Sequence, residues 1–212
     1  MNAPPNFSRV ARIYRWAEYL TLGPILQDTR THFLPQLADR RKALLFGDGD
    51  GRFLAKLLEQ NSTLQATAVD VSATMLRLLR QRCAHAGSRL QTIHTSALEA
   101  NVPPGTDLVI SHFFLDCLTQ REVDILVQGV ATNTTPGTLW LLSDFQIPQR
   151  SFIRPFAAIY VRSLYLAFRV LTGLRVQSLP NPQAALGRAG FIRIEHHETL
   201  FGLIYTEIWQ RQ

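Results

Sequence analysis

The sequence has only two cysteines, Cys83 and Cys117, and they lie far apart. Neither has a His or Cys neighbour at ligand spacing, so they point to neither a disulfide framework nor a zinc site. A reducing cytoplasm is the setting expected from such cysteine usage. Acid is missing from one long stretch: no Asp or Glu occurs from Phe145 to Ile194, which carries seven arginines. A Gly-Lys-Ser/Thr ending is missing from the glycine-rich turn near residue 50, which excludes a P-loop. An apolar N-terminal signal region is missing too, since Met1 to Ser8 is polar and proline-bearing. There is no internal repeat and no low-complexity segment. What remains is globular: 212 residues, 46% hydrophobic and 18% charged. That length suits one domain with a sizeable core. The formal net charge of +6 permits an anionic partner without identifying one.

The chain is organised around Ala43 to Leu54, ALLFGDGDGRFL. It reads as a buried strand, a turn with Gly47, Gly49 and Gly51 at alternate positions, and the start of a helix. Glycines serve where backbone takes positive φ or approaches a ligand closely. Strand, glycine turn and helix N-terminus in series make a crevice at the carboxyl end of an α/β sheet. A dinucleotide fold wants G-x-G-x-x-G, but the third position of that pattern is Arg52. Asp48 and Asp50 would repel a pyrophosphate and would tolerate a sulfonium and an ammonium. An ordinary glycine turn is the plain alternative.

A second strand, Leu64 to Val69, ends at Asp70, 23 positions after Gly47. An acid at about 20 positions can take both hydroxyls of a ribose; it can equally cap the next helix. That helix is expected from Val71 to about Ala86, closed by Gly87. Leu90 to His94 is a third strand, and Asp107 to Ser111 is a near-continuous apolar fourth, as a central parallel strand should be. Thr119 and Glu122 form a capping box for a helix reaching about Val130. Thr138 to Ser143 is the fifth strand, ending at Asp144. A short helix over Pro182 to Ala189 precedes two strands, Phe191 to His197 and Leu200 to Gln210. Strands alternating with helices indicate βαβ units and a parallel sheet.

Two flanking segments carry their own expectations. Phe7 to about Leu37 is helical, broken near Gly23-Pro24, and dense in aromatics: Phe7, Tyr14, Trp16, Tyr19 and Phe33. It reads either as packing or as a lid over the crevice. Phe152 to Leu171 is apolar apart from Arg154, Arg162 and Arg169, which share a helix face. Three arginines make it a poor transmembrane span. It reads as a structural helix, a cover over an apolar substrate, or a peripheral contact with an anionic membrane.

LLFGDGDG, AVDVSATML, TDLVISHFFLDCL, TLWLLSDFQ and the terminal "AGF" strand pair together resemble the class I S-adenosylmethionine-dependent methyltransferases, most of all the small-molecule branch that includes quinone-biosynthesis enzymes. The resemblance implies a Rossmann-like α/β three-layer sandwich. Its seven-stranded, mostly parallel sheet would have order 3-2-1-4-5-7-6, with the last strand antiparallel. The single domain would divide into a helical lid (1–40), a cofactor-binding core (43–145), a helical insert after the fifth strand (146–180) and a C-terminal helix and strand pair (181–212).

The same resemblance implies that Gly47, Asp48, Gly49, Asp50 and Gly51 meet the methionine part of S-adenosylmethionine. Asp70 would hold the ribose, with Val71 and Met75 near the adenine. Ser96 and Ala97 would lie at the adenine edge, and Ser111 and His112 beside the reactive methyl. S-adenosylhomocysteine would be the product, with no metal required. Two positions depart from the pattern: Phe46 stands where an acid usually precedes the first glycine, and Ser96 stands where a carboxylate often accepts the adenine amino group. A base is needed only for a protonated nucleophile; His112, Asp116, Tyr14 and Tyr19 are the candidates. The expected acceptor is a small apolar or aromatic molecule. The alternatives are an RNA methyltransferase, for which the Asn/Asp-Pro-Pro-aromatic stretch is absent, and an adenosyl-binding protein without transfer activity.

Overall fold

The computed structural model describes residues 23–148 and 179–212. The expectations for Tyr14, Tyr19, the first part of the lid and Phe152 to Leu171 lie outside the described residues.

Seven strands form one sheet: β1 (Lys42–Phe46), β2 (Gln65–Asp70), β3 (Leu90–His94), β4 (Leu108–His112), β5 (Leu139–Phe145), β6 (Phe191–Thr199) and β7 (Ile204–Arg211). Their order is β3-β2-β1-β4-β5-β7-β6. The first five run parallel, and β7 pairs antiparallel with both β5 and β6. The central strands β4 and β5 are buried along their whole length, which explains their continuous apolar sequences. β6 is the exposed edge, and a register shift between Arg193 and Glu195 interrupts its pairing.

Helices cover both faces. On one side α1 (Gly23–Thr31), α2 (Arg52–Gln60) and α3 (Ala73–Arg82) accompany a core built from Leu37, Leu45, Phe53, Leu58, Leu79 and Ile110. On the other, α4 (Gln120–Thr132) and α5 (Pro182–Arg188) cover Leu44, Val109, Val127, Trp140 and Tyr205. Alternation along each strand divides its side chains between the two faces. The capping box at α4 is present as expected, with Thr119 and Glu122 satisfying each other's backbone amides.

Several boundaries differ from the sequence expectation. The helix expected from Val71 to Ala86 is the shorter α3, begun by Ser72, whose Oγ accepts the Met75 amide. A 3₁₀ segment at Ala84–Arg89 follows it, with Gly87 at φ +56°. The last strand starts at Ile204 rather than Leu200, because Leu200, Phe201 and Gly202 all take positive φ and turn the chain. Asp107 precedes β4: its carboxylate accepts the amides of Arg41 and Lys42 and pins the starts of β1 and β4 together. No helix among the described residues is long and apolar enough to cross a membrane.

Strand order reverses between β1 and β4, and the connections leave on opposite faces there. A crevice therefore opens at the carboxyl ends of β1, β2 and β4.

Candidate functional site

The turn after β1 is made of three left-handed glycines with different duties. Gly47, Gly49 and Gly51 have φ of +64°, +62° and +80°. A Cβ at Gly47 would strike the ring of Phe114, and one at Gly51 would meet Leu79 Cγ at 2.9 Å. Those two lack side chains because neighbours press on them. Nothing lies within 4 Å of a Cβ at Gly49. The bare backbone there faces open space, as close approach by a ligand requires.

The two acids of the turn are both engaged. Asp48 Oδ2 accepts the Leu54 amide at 3.2 Å, so it serves a free N–H in the first turn of α2, which has no side-chain cap of its own. Burial raises the Asp48 carboxyl to about 7, while the positive field of Arg30 and the Leu54 hydrogen bond oppose the rise. Asp50 Oδ2 pairs with Arg82 Nη2 at 2.9 Å and Arg52 Nε at 3.2 Å. Arg82 Nε also donates to the Asp50 carbonyl, tying the turn to the end of α3.

Asp70 ends β2 beside the turn. Its Oδ1 accepts the Ser72 amide at 2.7 Å, and Ser72, not Asp70, caps α3. Burial pushes its carboxyl up to about 6, against the opposing effects of that hydrogen bond and of His94. Its second oxygen has room for another donor. Val71 is half exposed, and its carbonyl accepts from His94 Nε2. Met75 is partly exposed on the first turn of α3. Ser96 Oγ accepts the Leu98 amide, and Ala97 packs on the core beneath α4.

At the end of β4 successive side chains part to opposite faces. Ser111 Oγ accepts Trp140 Nε1 at 2.9 Å inside the core, so its hydroxyl is turned away from the crevice, and only its backbone remains for the expected role. His112 lies on the other face, 3% exposed, with Phe53 edge-on at 4.5 Å. Its Nδ1 is 2.9 Å from Ser143 Oγ, which donates its proton to Thr206 Oγ1 at 2.8 Å. Ser143 can then only accept from the imidazole, so the proton sits on Nδ1 and Nε2 carries the lone pair. Nε2 is buried and has no hydrogen-bond partner. Burial, and then Arg30, hold the His112 pKa well below its usual value, so the ring is neutral.

Phe113 follows with φ +52°, a conformation that costs roughly 1–3 kcal/mol in a bulky residue. The turn sends the Phe113 ring against Phe145, centroids 5.2 Å apart, beneath the Arg30 guanidinium at 5.0 Å. Phe114 is thrown the opposite way, over Gly47 and parallel to Phe46, with centroids 6.2 Å apart and 18° between planes. Phe46 is fully buried and belongs to the core beneath α4. The position before the first glycine is therefore apolar in structure as well as in sequence.

Asp116 sits in the turn after β4 beside Asp144 of β5. Its amide donates to Asp144 Oδ2 at 3.1 Å, and both side chains are buried. Burial and then the neighbouring Asp116 hold the Asp144 carboxyl well above the usual range. Cys117 beside them is pushed up by burial and by the same two acids.

The structure thus places the glycine turn, Asp70 and His112 at the carboxyl ends of β1, β2 and β4, with Val71 and Met75 just after β2. It brings in four residues that the sequence reading did not assign to the site: Arg30, Ser143, Asp144 and Thr206. The signal available for Asp144 was an acid closing an apolar strand, as Asp70 does. Arg30, Ser143 and Thr206 carry no comparable pattern. Among the described residues no group of three metal-ligating side chains occurs.

Residues 43–137 match the profile of a family described as a methyltransferase domain. No curated protein matches the sequence. Among solved structures, an O-methyltransferase family protein from Burkholderia thailandensis superimposes with a TM-score of 0.75 at 18% identity, over 97% of this chain and 60% of that one. The mitomycin 7-O-methyltransferase MmcR gives 0.70 at 17%, over 98% and 61%. The N-methyltransferase NodS from Bradyrhizobium japonicum WM9, in complex with S-adenosylhomocysteine, gives 0.65 at 14%, over 88% and 87%. The chain spans about three-fifths of the length of the first structures it matches. These likenesses show a shared fold, and across residues 43–137, a little under half of the chain, the sequence matches a methyltransferase domain.

Proposed function

We propose that the protein transfers a methyl group from S-adenosylmethionine to a small, apolar or aromatic acceptor. The observation that carries this reading is the pairing of Gly49, whose backbone faces open space at the end of β1, with Asp70 at the end of β2. The residues present fit an adenosyl ligand. The free oxygen of Asp70 would take a ribose hydroxyl, Val71 and Met75 offer apolar surface to an adenine, and Ser96 and Ala97 would meet its edge. The backbone of Gly47 to Gly51 would receive the methionine portion, with Ser111 contributing its main chain. Bound there, the sulfonium supplies an electrophilic methyl.

The chain's own residues then have to hold the acceptor in line and exclude water. His112 Nε2 is the proton acceptor this arrangement favours. It is neutral, bare and held in one orientation by Ser143 and Thr206. Asp116 is engaged with Asp144 and suits holding the turn after β4 in place. Among the solved neighbours, an O-methyltransferase family 2 protein in complex with apigenin (TM-score 0.71, 18% identity) supports a small acceptor. Two free cysteines support a reducing, cytoplasmic setting.

Calorimetry with S-adenosylmethionine, S-adenosylhomocysteine and NAD tests the reading. Binding of the two adenosyl ligands and not of NAD is expected. Tight NAD binding without response to the others would sink it.

A further inference from the structure

We propose that the ring of Phe114 is the surface on which the sulfonium of the methyl donor rests, held there by cation–π attraction. This deepens the reading of the crevice as an adenosyl-sulfonium site and rests on it.

A sulfonium at the glycine turn needs a counterpart for its positive charge. The two acids of the turn are each engaged within the protein. Asp50 is shared between Arg52 and Arg82, so its charge is met twice over. Asp48 serves the Leu54 amide, and its carboxyl, raised to about 7 by desolvation, already lies in the field of Arg30. Phe46 stands immediately before Gly47 and is sealed in the core. The group that does lie on the turn is aromatic: the Phe114 ring sits against Gly47, partly exposed, with Phe46 stacked parallel to it. The negative face of an aromatic ring attracts cations, more strongly where water is excluded.

The backbone is bent to put the ring there. Phe113 takes the left-handed region at φ +52°, which sends its own ring to Phe145 and leaves Phe114 over the turn. Strain of this kind persists where the surrounding structure holds it, and it clusters at ligand sites. The consequence for the ligand is selective. The methyl donor carries a positive sulfur; the product is a neutral thioether of nearly the same shape. A ring at this place favours donor over product, so product leaves without a charge to hold it.

The test compares two affinities on the same protein by calorimetry, S-adenosylmethionine against S-adenosylhomocysteine. Phe114→Leu is expected to weaken the methionine form by roughly 3- to 30-fold while leaving the homocysteine form within about 2-fold. Should leucine unsettle the turn, phenylalanines of increasing fluorination at position 114 keep the shape and drain the ring face. Donor affinity should then fall stepwise, with product affinity level. Equal loss of both ligands, or no change in either, overturns the role of the ring and leaves the site reading standing. A wild-type protein that binds neither ligand removes the site reading and this inference with it.

Discussion

His112 Nδ1 lies 2.9 Å from Ser143 Oγ, and that hydroxyl has already given its proton to Thr206. One tautomer follows, with the imidazole lone pair on Nε2. Ser143→Ala removes the acceptor that selects it. Long-range proton–nitrogen spectra of the histidine rings should show Nδ1–H alone at His112 in the wild type and a mixture in the variant. If Nε2 takes the acceptor's proton, His112→Asn lowers the rate by about 10²- to 10⁴-fold while leaving S-adenosylhomocysteine affinity unchanged. Ser143→Ala should fall between, with Ser143→Thr restoring most of the loss.

The same ring gives a pH signature. Its folded pKa lies below 6.5, so between the two values the unfolded chain binds the proton and the folded chain does not. Stability from this group is therefore full above about 6.5 and declines as pH falls below it. His112→Asn should flatten that acid limb in thermal melts. An unchanged limb would mean that the ring titrates normally.

Asp48 works in the opposite sense. Its folded pKa is raised from 3.8 to about 7, so folding takes up a proton between those values. Its contribution is full below about 4 and is lost as pH rises through about 7. Asp48→Asn keeps an acceptor for the Leu54 amide and removes the charge. The variant's gain over wild type should grow from about pH 5 to about pH 8, reaching ~1–3 kcal/mol by denaturant melts. A loss of stability at about pH 8 would show that the charged carboxylate is itself the needed form.

Gly47 and Gly49 have almost the same φ and should respond differently. Gly49→Ala incurs the left-handed penalty alone, ~1–2 kcal/mol, since nothing lies in the way of its Cβ. The variant should fold and lose adenosyl affinity. Gly47→Ala adds a collision with the Phe114 ring, so its melting midpoint should fall further. Phe114→Ala in the same chain should recover part of that extra loss.

Asp144 accepts two backbone amides, those of Asp116 and Phe145, each at 3.1 Å. Asp144→Asn keeps one acceptor oxygen, turns the other into a donor facing a buried amide and removes the repulsion with Asp116, so a loss of ~1–3 kcal/mol is expected, offset in part by that relief. Asp144→Ala strands both donors in the core, at ~1–3 kcal/mol each. Urea midpoints of the two variants distinguish an acid kept for its hydrogen bonds from one kept for its charge.

Most of the fold was legible because it rests on local rules. The apolar runs of β4 and β5, the positive-φ glycines after β1 and the capping box at Thr119 each act within a few residues, and each appears where the pattern places it. Boundaries slipped where a neighbour intervened: Ser72 took the capping duty open to Asp70, and three positive-φ residues delayed β7. Part of the candidate site was legible for the same reason, since Gly49 and Asp70 are set by strand ends.

What the sequence could not show is which charges remain available. Asp48 and Asp50 read as two free carboxylates facing a cation. Leu54 is six residues from Asp48 and Arg82 is 32 from Asp50, and only the packed structure brings these partners in. The tautomer of His112 depends on β5 and β7, 31 and 94 residues downstream, because a proton's position is decided by the last acceptor in a chain of hydrogen bonds. The sequence by itself determined the strands of the sheet and the glycine turn that ends the first of them. The tertiary structure decided which polar atoms are spent on the protein itself and which are left for a ligand, because hydrogen bonds and ion pairs are made between neighbours in space.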